Sequence, residues 1–149
     1  MKHWITTIFF LAGKLGKLVD GLTKEMENYA ISLTMETFRV LDTLMKLEDK
    51  KRRLCNFKVL AVFFKSKLDN EQIEIVRRRI IKGETFEEVA SVLEISKSTA
   101  GRKYSEAINK SIAASLSLTY DEDRLLEDYK DIPLIMKTYN KFVKNAGVK

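Results

Sequence analysis

From Ser96 to Lys103 the chain reads Ser-Lys-Ser-Thr-Ala-Gly-Arg-Lys. On a helix, Ala100 and then Tyr104 turn inward, and Lys97, Ser98, Thr99, Arg102 and Lys103 stay outward. That outward set holds three cations and two hydroxyls, with no acid before Glu106. A helix N-terminus attracts phosphate through its free N–H groups and its dipole. Lys and Arg can read guanine edges in the major groove, and Ser or Thr can contact bases or phosphates. The chemistry of this stretch is therefore that of double-stranded DNA recognition. Lys110, further along, and Arg77, Arg78 and Arg79, with Lys82 on the preceding helix, are candidates for holding backbone phosphates.

Such side chains need a frame. Asp69 is a good N-cap with Gln72 three residues on, and Ile73, Val76 and Ile80 recur at helical spacing. Gly83 is placed to stop that helix. Thr85 and Glu88 form a second capping box, and Phe86, Val89, Ala90 and Leu93 give the next helix a short apolar face. A tight turn at Glu94-Ile95 follows. Ser96 then caps a helix expected to run to about Ile112 or Leu116, with Ala100, Tyr104, Ala107, Ile108 and Ile112 inward. Two short helices joined so tightly must cross at a steep angle. The crossing needs a small residue, which Ala90 supplies, and an apolar residue tucked into the turn, which Ile95 supplies.

With these residues in place, the segment resembles the helix-turn-helix of sigma factor region four. The matching text is LDNEQIEIVRRRIIKGETFEEVASVLEISKSTAGRKYSEAI, roughly a third of the chain, from Leu68 to about Ile112. It looks closest to phage transcriptional regulators of the RinA/ArpU kind, which join upstream helices to this module and activate phage packaging or lysis genes. The resemblance implies that Ser98, Thr99, Arg102 and Lys103 are groove-facing and that Ser96 caps the recognition helix. Two departures stand out. Glu94 occupies the place where the family usually has Gly, and Gly101 lies inside the recognition helix, where it removes one side-chain contact.

The remaining segments read as helices as well. Pro133 is the one proline and glycines number six. So few breakers among many Lys, Glu, Leu and Ile predict an all-α fold, a helical bundle with a central helix-turn-helix module. Ile5, Ile8, Phe9, Ala12, Leu15, Leu18, Val19 and Leu22 predict one amphipathic packing helix, although the apolar run Trp4 to Ala12 also has the look of a short leader or a membrane-surface segment. A second helix is expected from about Thr23 to Lys51. Its stripe of Met26, Tyr29, Ala30, Leu33, Thr37, Val40, Leu41, Leu44 and Met45 fits a core face or a dimer seam. The basic cluster Lys50 to Arg53 reads as a solvated helix end that can also touch phosphate. A mostly buried third helix follows from about Leu54 to Leu68. Beyond the central module, helices are expected from about Thr119 to Asp131 and from about Leu134 to Lys144, divided by Pro133. The organisation is thus a helical region at 1–68 for dimerisation or partner contact, the DNA-binding module at 69–116, and a helical extension at 117–149.

Composition narrows the function. The formal net charge is +6, which favours an anionic partner. The excess sits N-terminally: basic residues outnumber acidic ones 13 to 7 up to Leu68, and the two balance over the rest of the chain. One cysteine, Cys55, excludes an internal disulfide, and one histidine, His3, leaves no His/Cys ligand set for zinc. No phosphate loop and no Ser/His/Asp set is present, so neither an enzyme nor a cofactor or metal is expected. The expectation is a cytoplasmic, sequence-specific DNA-binding transcriptional regulator of phage or mobile-element origin. Its expected partners are DNA, RNA polymerase and further copies of itself, with no membrane. A phage terminase small subunit, a small sigma-like factor and a protein-interaction module without a DNA role are the alternatives.

Overall fold

Gly13 ends the first helix after only eleven residues, and this short helix lies at the centre of the molecule. A computed structural model describes residues 1–31, 37–118 and 121–146. It is all-α: eight α-helices and no strand among the described residues. They are α1 (Lys2–Ala12), α2 (Leu15–Ile31), α3 (Thr37–Ser66), α4 (Asn70–Val76), α5 (Phe86–Leu93), α6 (Lys97–Ser117), α7 (Glu122–Tyr129) and α8 (Pro133–Ala146). A π-helical turn, Arg77–Ile81, continues α4.

Along α1, Trp4, Ile5, Thr6, Thr7, Ile8, Phe9 and Leu11 are all buried. A helix buried almost all round belongs inside a protein. Its two threonines are compatible with that because each hydroxyl donates to the carbonyl one turn back, Thr6 to Lys2 at 2.9 Å and Thr7 to His3 at 2.6 Å. Helices α3, α6 and α8 and the π turn all pack against α1. Trp4 stacks on Tyr139 of α8, with ring centroids 4.3 Å apart. The apolar N-terminal run is thus core. The single helix expected through Leu22 is instead broken at Gly13 and Lys14, where the Lys14 N–H donates to the Leu11 carbonyl. Beyond the break, Leu15 and Leu22 rejoin the core from α2.

Helix α3 joins the later part of the expected second helix, from Thr37, to the expected third, while Thr23 to Ile31 belong to α2, so Lys50 to Arg53 lie mid-helix rather than at an end. Arg53 pairs with Asp49 and with Asp131, and it donates to the Asp128 carbonyl, which ties α3 to the α7–α8 corner. Of the proposed seam, Met26 and Leu44 are half-buried, and Leu41 and Met45 are 45% and 69% exposed. Leu33 lies outside the described residues, as do the side chains of Tyr29, Ala30, Thr37 and Val40.

One core cluster draws Trp4 and Ile8 from α1, Phe57 and Phe64 from α3, Val76, Ala107 and Ile108 from the centre, and Leu125, Tyr129 and Ile135 from the C-terminal helices. All three sequence segments therefore meet in a shared interior. A second, smaller cluster of Ile75, Val89, Ala90 and Ala100 lies between α4, α5 and α6. Helix α4 serves both. Val76 and Ile80 face the large core, and Ile75, fully buried, faces the small one.

Candidate functional site

The frame around Ser96 is set by its capping chemistry. Asp69 accepts from the Gln72 N–H at 2.8 Å while Gln72 accepts from the Asp69 N–H at 3.0 Å, a complete capping box that starts α4. Gly83, at φ +69°, takes the left-handed conformation that ends the π turn. Thr85 caps α5 by accepting from the Glu88 N–H. The return half expected of Glu88 is replaced by a side-chain contact to the Thr85 hydroxyl at 3.3 Å. Ser96 accepts from the Thr99 N–H at 3.1 Å and donates to the Thr99 hydroxyl at 2.7 Å.

The link between α5 and α6 turns on Glu94. It adopts the left-handed conformation, φ 56°, and both its own N–H and that of Ile95 donate to the Ala90 carbonyl. An L-residue pays about 1–2 kcal/mol for that geometry, and this is the position where a glycine would be expected. Ala90 and Ala100, both buried, bring the two helices close over Ile75 and Val89. Leu93, Ile95 and Phe86 pack around the edge of this cluster. Tyr104 closes it, with its ring edge-on to Phe86 at 5.5 Å, and also packs against the large core, where α6 lies on α1. Burial pushes the Tyr104 hydroxyl above its ordinary pKa, so it stays protonated. The α5–α6 pair is thereby anchored to the central helix.

On this frame, Lys97, Ser98 and Arg102 are exposed and Thr99 and Lys103 are half-buried, together at the N-terminal end of α6. Each cation has an acidic neighbour: Glu87 of α5 lies 3.2 Å from Lys97, Glu106 lies 3.1 Å from Arg102, and Glu71 of α4 lies 2.5 Å from Lys103. Exposed pairs of this kind contribute about 0–1 kcal/mol, so a phosphate can displace the carboxylates at small cost. Only Arg102–Glu106, four residues apart on one helix, was visible locally in the sequence; the other two pairs join separate helices. Lys110 is exposed seven residues beyond Lys103, about 10 Å along the axis. Gly101 opens on free space, because a side chain there would meet nothing within 4 Å.

The upstream arginines are arranged differently. Arg77 holds Glu74 in a two-point contact at 3.0 and 2.6 Å, and Arg78 reaches the same carboxylate at 2.7 Å and Glu84 at 3.0 Å. The hydrogen bonds from Arg77, aided by its charge and by Arg78, depress the Glu74 pKa from 4.5 to about 2. The Arg78 side chain is only 15% exposed. Arg79 donates to the Glu84 carbonyl and lies over the Phe86 ring. These contacts hold the π turn to α5. No contact brings Arg77 or Arg78 to the outward side chains of α6. The π turn itself, closed by the Lys82 N–H on the Arg77 carbonyl at 3.1 Å, was not legible in the sequence.

No group of His, Cys, Asp or Glu among the described residues could hold a metal ion, and no helix there is long and apolar enough to cross a membrane. Compared with protein-family models, with curated proteins and with solved structures, the chain matches none.

Proposed function

We propose that the chain is a sequence-specific DNA-binding transcriptional regulator in which α5 and α6 act as a helix-turn-helix and α6 enters the major groove. One observation carries the reading. The first two turns of α6 project Lys97, Ser98, Thr99, Arg102 and Lys103 from a capped N-terminus whose opposite side is fixed by Ala100 and Tyr104. A helix held in this way presents side chains in a defined register, which base readout requires. Arg102 and Lys103 read bases, Thr99 and Ser98 contact bases or phosphate, and Lys110 tracks the backbone further along. The role of Arg77 and Arg78 is chiefly to lock the π turn to Glu74 and Glu84. The exposed Leu41 and Met45 on α3 support pairing with a second copy or with RNA polymerase.

The test is selection of bound fragments from randomised or genomic DNA by the wild type and by Arg102→Ala plus Lys103→Ala. The wild type enriches a motif. The double variant, unfolding at an unchanged temperature, loses at least tenfold in affinity, since a good base contact is worth about 1–3 kcal/mol. Equal recovery by both proteins, or no binding even at low salt, refutes the proposal.

A further inference from the structure

A cleft of about 320 Å³ opens between α1, α3 and the π turn, and of its lining residues only Arg77 enters the DNA-binding proposal, as a clamp on Glu74. Each helix contributes one face to it. From α3 come Lys58, Ala61, Val62 and Lys65, at the three- and four-residue spacing of a single helical face. From α1 and its end come Phe9, Ala12 and Gly13. The α4 side supplies Val76, Arg77 and Ile81. The cavity exists because small residues stand where larger ones would close it: Ala12, Gly13 and Ala61 leave space, and a side chain at Gly13 would meet nothing within 4 Å.

Two features point to a ligand. The lining is mostly apolar, yet Val62 and Ile81 at its mouth remain 65% and 52% exposed. Uncovered apolar surface beside a formed cavity is unfavourable until something fills it. The charged lining is also of one sign. Lys58, Lys65 and Arg77 all line the cleft, and no acid does. Among the described residues, neither Lys58 nor Lys65 is paired with an acid, whereas Arg77 beside them is held by Glu74. The π turn adds to this, because such turns occur frequently at functional sites and this one delivers both Arg77 and Ile81 to the cavity.

We infer that this cleft binds a single-chain amphiphilic anion, a medium-length alkyl chain with a carboxylate-like head. The chain lies over Ala61, Phe9 and Val76, and the head meets the lysine ammonium groups at the mouth. The volume is at the small end of ligand sites, which run from about 300 Å³ upward. It admits a medium-length chain and does not admit a long or double-chain lipid.

Calorimetric titration of the full chain with decanoate, below its critical micelle concentration, is the test. Saturable one-to-one binding is expected, with decyltrimethylammonium at least tenfold weaker because its head is repelled. Lys58→Glu plus Lys65→Glu reverses the charge of the mouth at exposed positions and weakens decanoate at least tenfold. Val62→Glu, also exposed, abolishes binding with no change in the unfolding temperature. Absence of saturable binding overturns the inference, as does equal affinity for the two head groups or for the wild type and the variants. A wild-type dimer that Val62→Glu dissociates, without decanoate binding, also overturns it and assigns the cleft to contact between copies. These outcomes are independent of DNA binding, so either proposal can fail alone.

Discussion

Replacing Glu74 by Gln removes one negative charge from the point where two arginines converge and leaves the shape and an acceptor oxygen intact. In the native protein Arg77 grips this carboxylate with two hydrogen bonds and Arg78 adds a third. The pKa of Glu74 falls from 4.5 to about 2. At 1.36 kcal/mol per unit, that depression sets a ceiling of about 3 kcal/mol on the stability contributed by the charge. The Glu74 side chain is 32% exposed, and solvent screening at such a position reduces the contribution to about 1 kcal/mol. The pH dependence has a defined sign. A carboxylate whose folded pKa is lowered stabilises the fold above its unfolded value, and this contribution disappears as pH falls through the folded pKa. Urea unfolding should therefore show Glu74→Gln less stable than wild type by about 1 kcal/mol at pH 7. The gap should narrow between about pH 4.5 and pH 2. A difference that persists unchanged at pH 2 would refute the reasoning, because it would show that the variant loses packing or geometry rather than charge.

Two further outcomes follow from the α5–α6 frame. Ala90→Leu adds a larger side chain where α5 meets Ala100 and should destabilise by about 1–3 kcal/mol through overpacking; an unchanged melting temperature by circular dichroism would mean that the two helices do not close on Ala90. Glu94→Gly relieves a left-handed L-residue and, after the entropic cost of glycine, should stabilise by about 0.5–1 kcal/mol, raising the melting temperature by about 2–4 °C per kcal/mol in a chain of this size; a lower melting temperature would show that the Glu94 side chain contributes more than its backbone costs.

What the amino-acid sequence determines by itself is mostly local. The caps at Asp69, Thr85 and Ser96, the stop at Gly83, the turn at Glu94 and the break at Pro133 all lie within a few residues of the groups they satisfy. A side chain that accepts from a backbone N–H three residues on does so largely independently of the remaining fold, so its signature survives in the text. The all-α class follows from the same local signals. The inward positions Val89, Ala90, Ala100, Ala107 and Ile108 were legible too, because helical periodicity alone specifies which side of a helix is apolar.

Tertiary structure alone decided the rest. Periodicity suggested that the N-terminal run has one apolar face, but only packing against α3, α6 and α8 made α1 a helix buried nearly all round. Ile75 is out of phase with Val76 and Ile80 as a single stripe, and it becomes core because α4 separates two clusters. The cations offered as phosphate contacts look alike in sequence. In space Arg78 is enclosed by Glu74 and Glu84, Lys103 reaches Glu71 more than thirty residues away, and Lys110 stays exposed. The physical reason is common to these cases. Burial and charge pairing depend on neighbours supplied by other helices, and a distance between two helices is not encoded at either end alone.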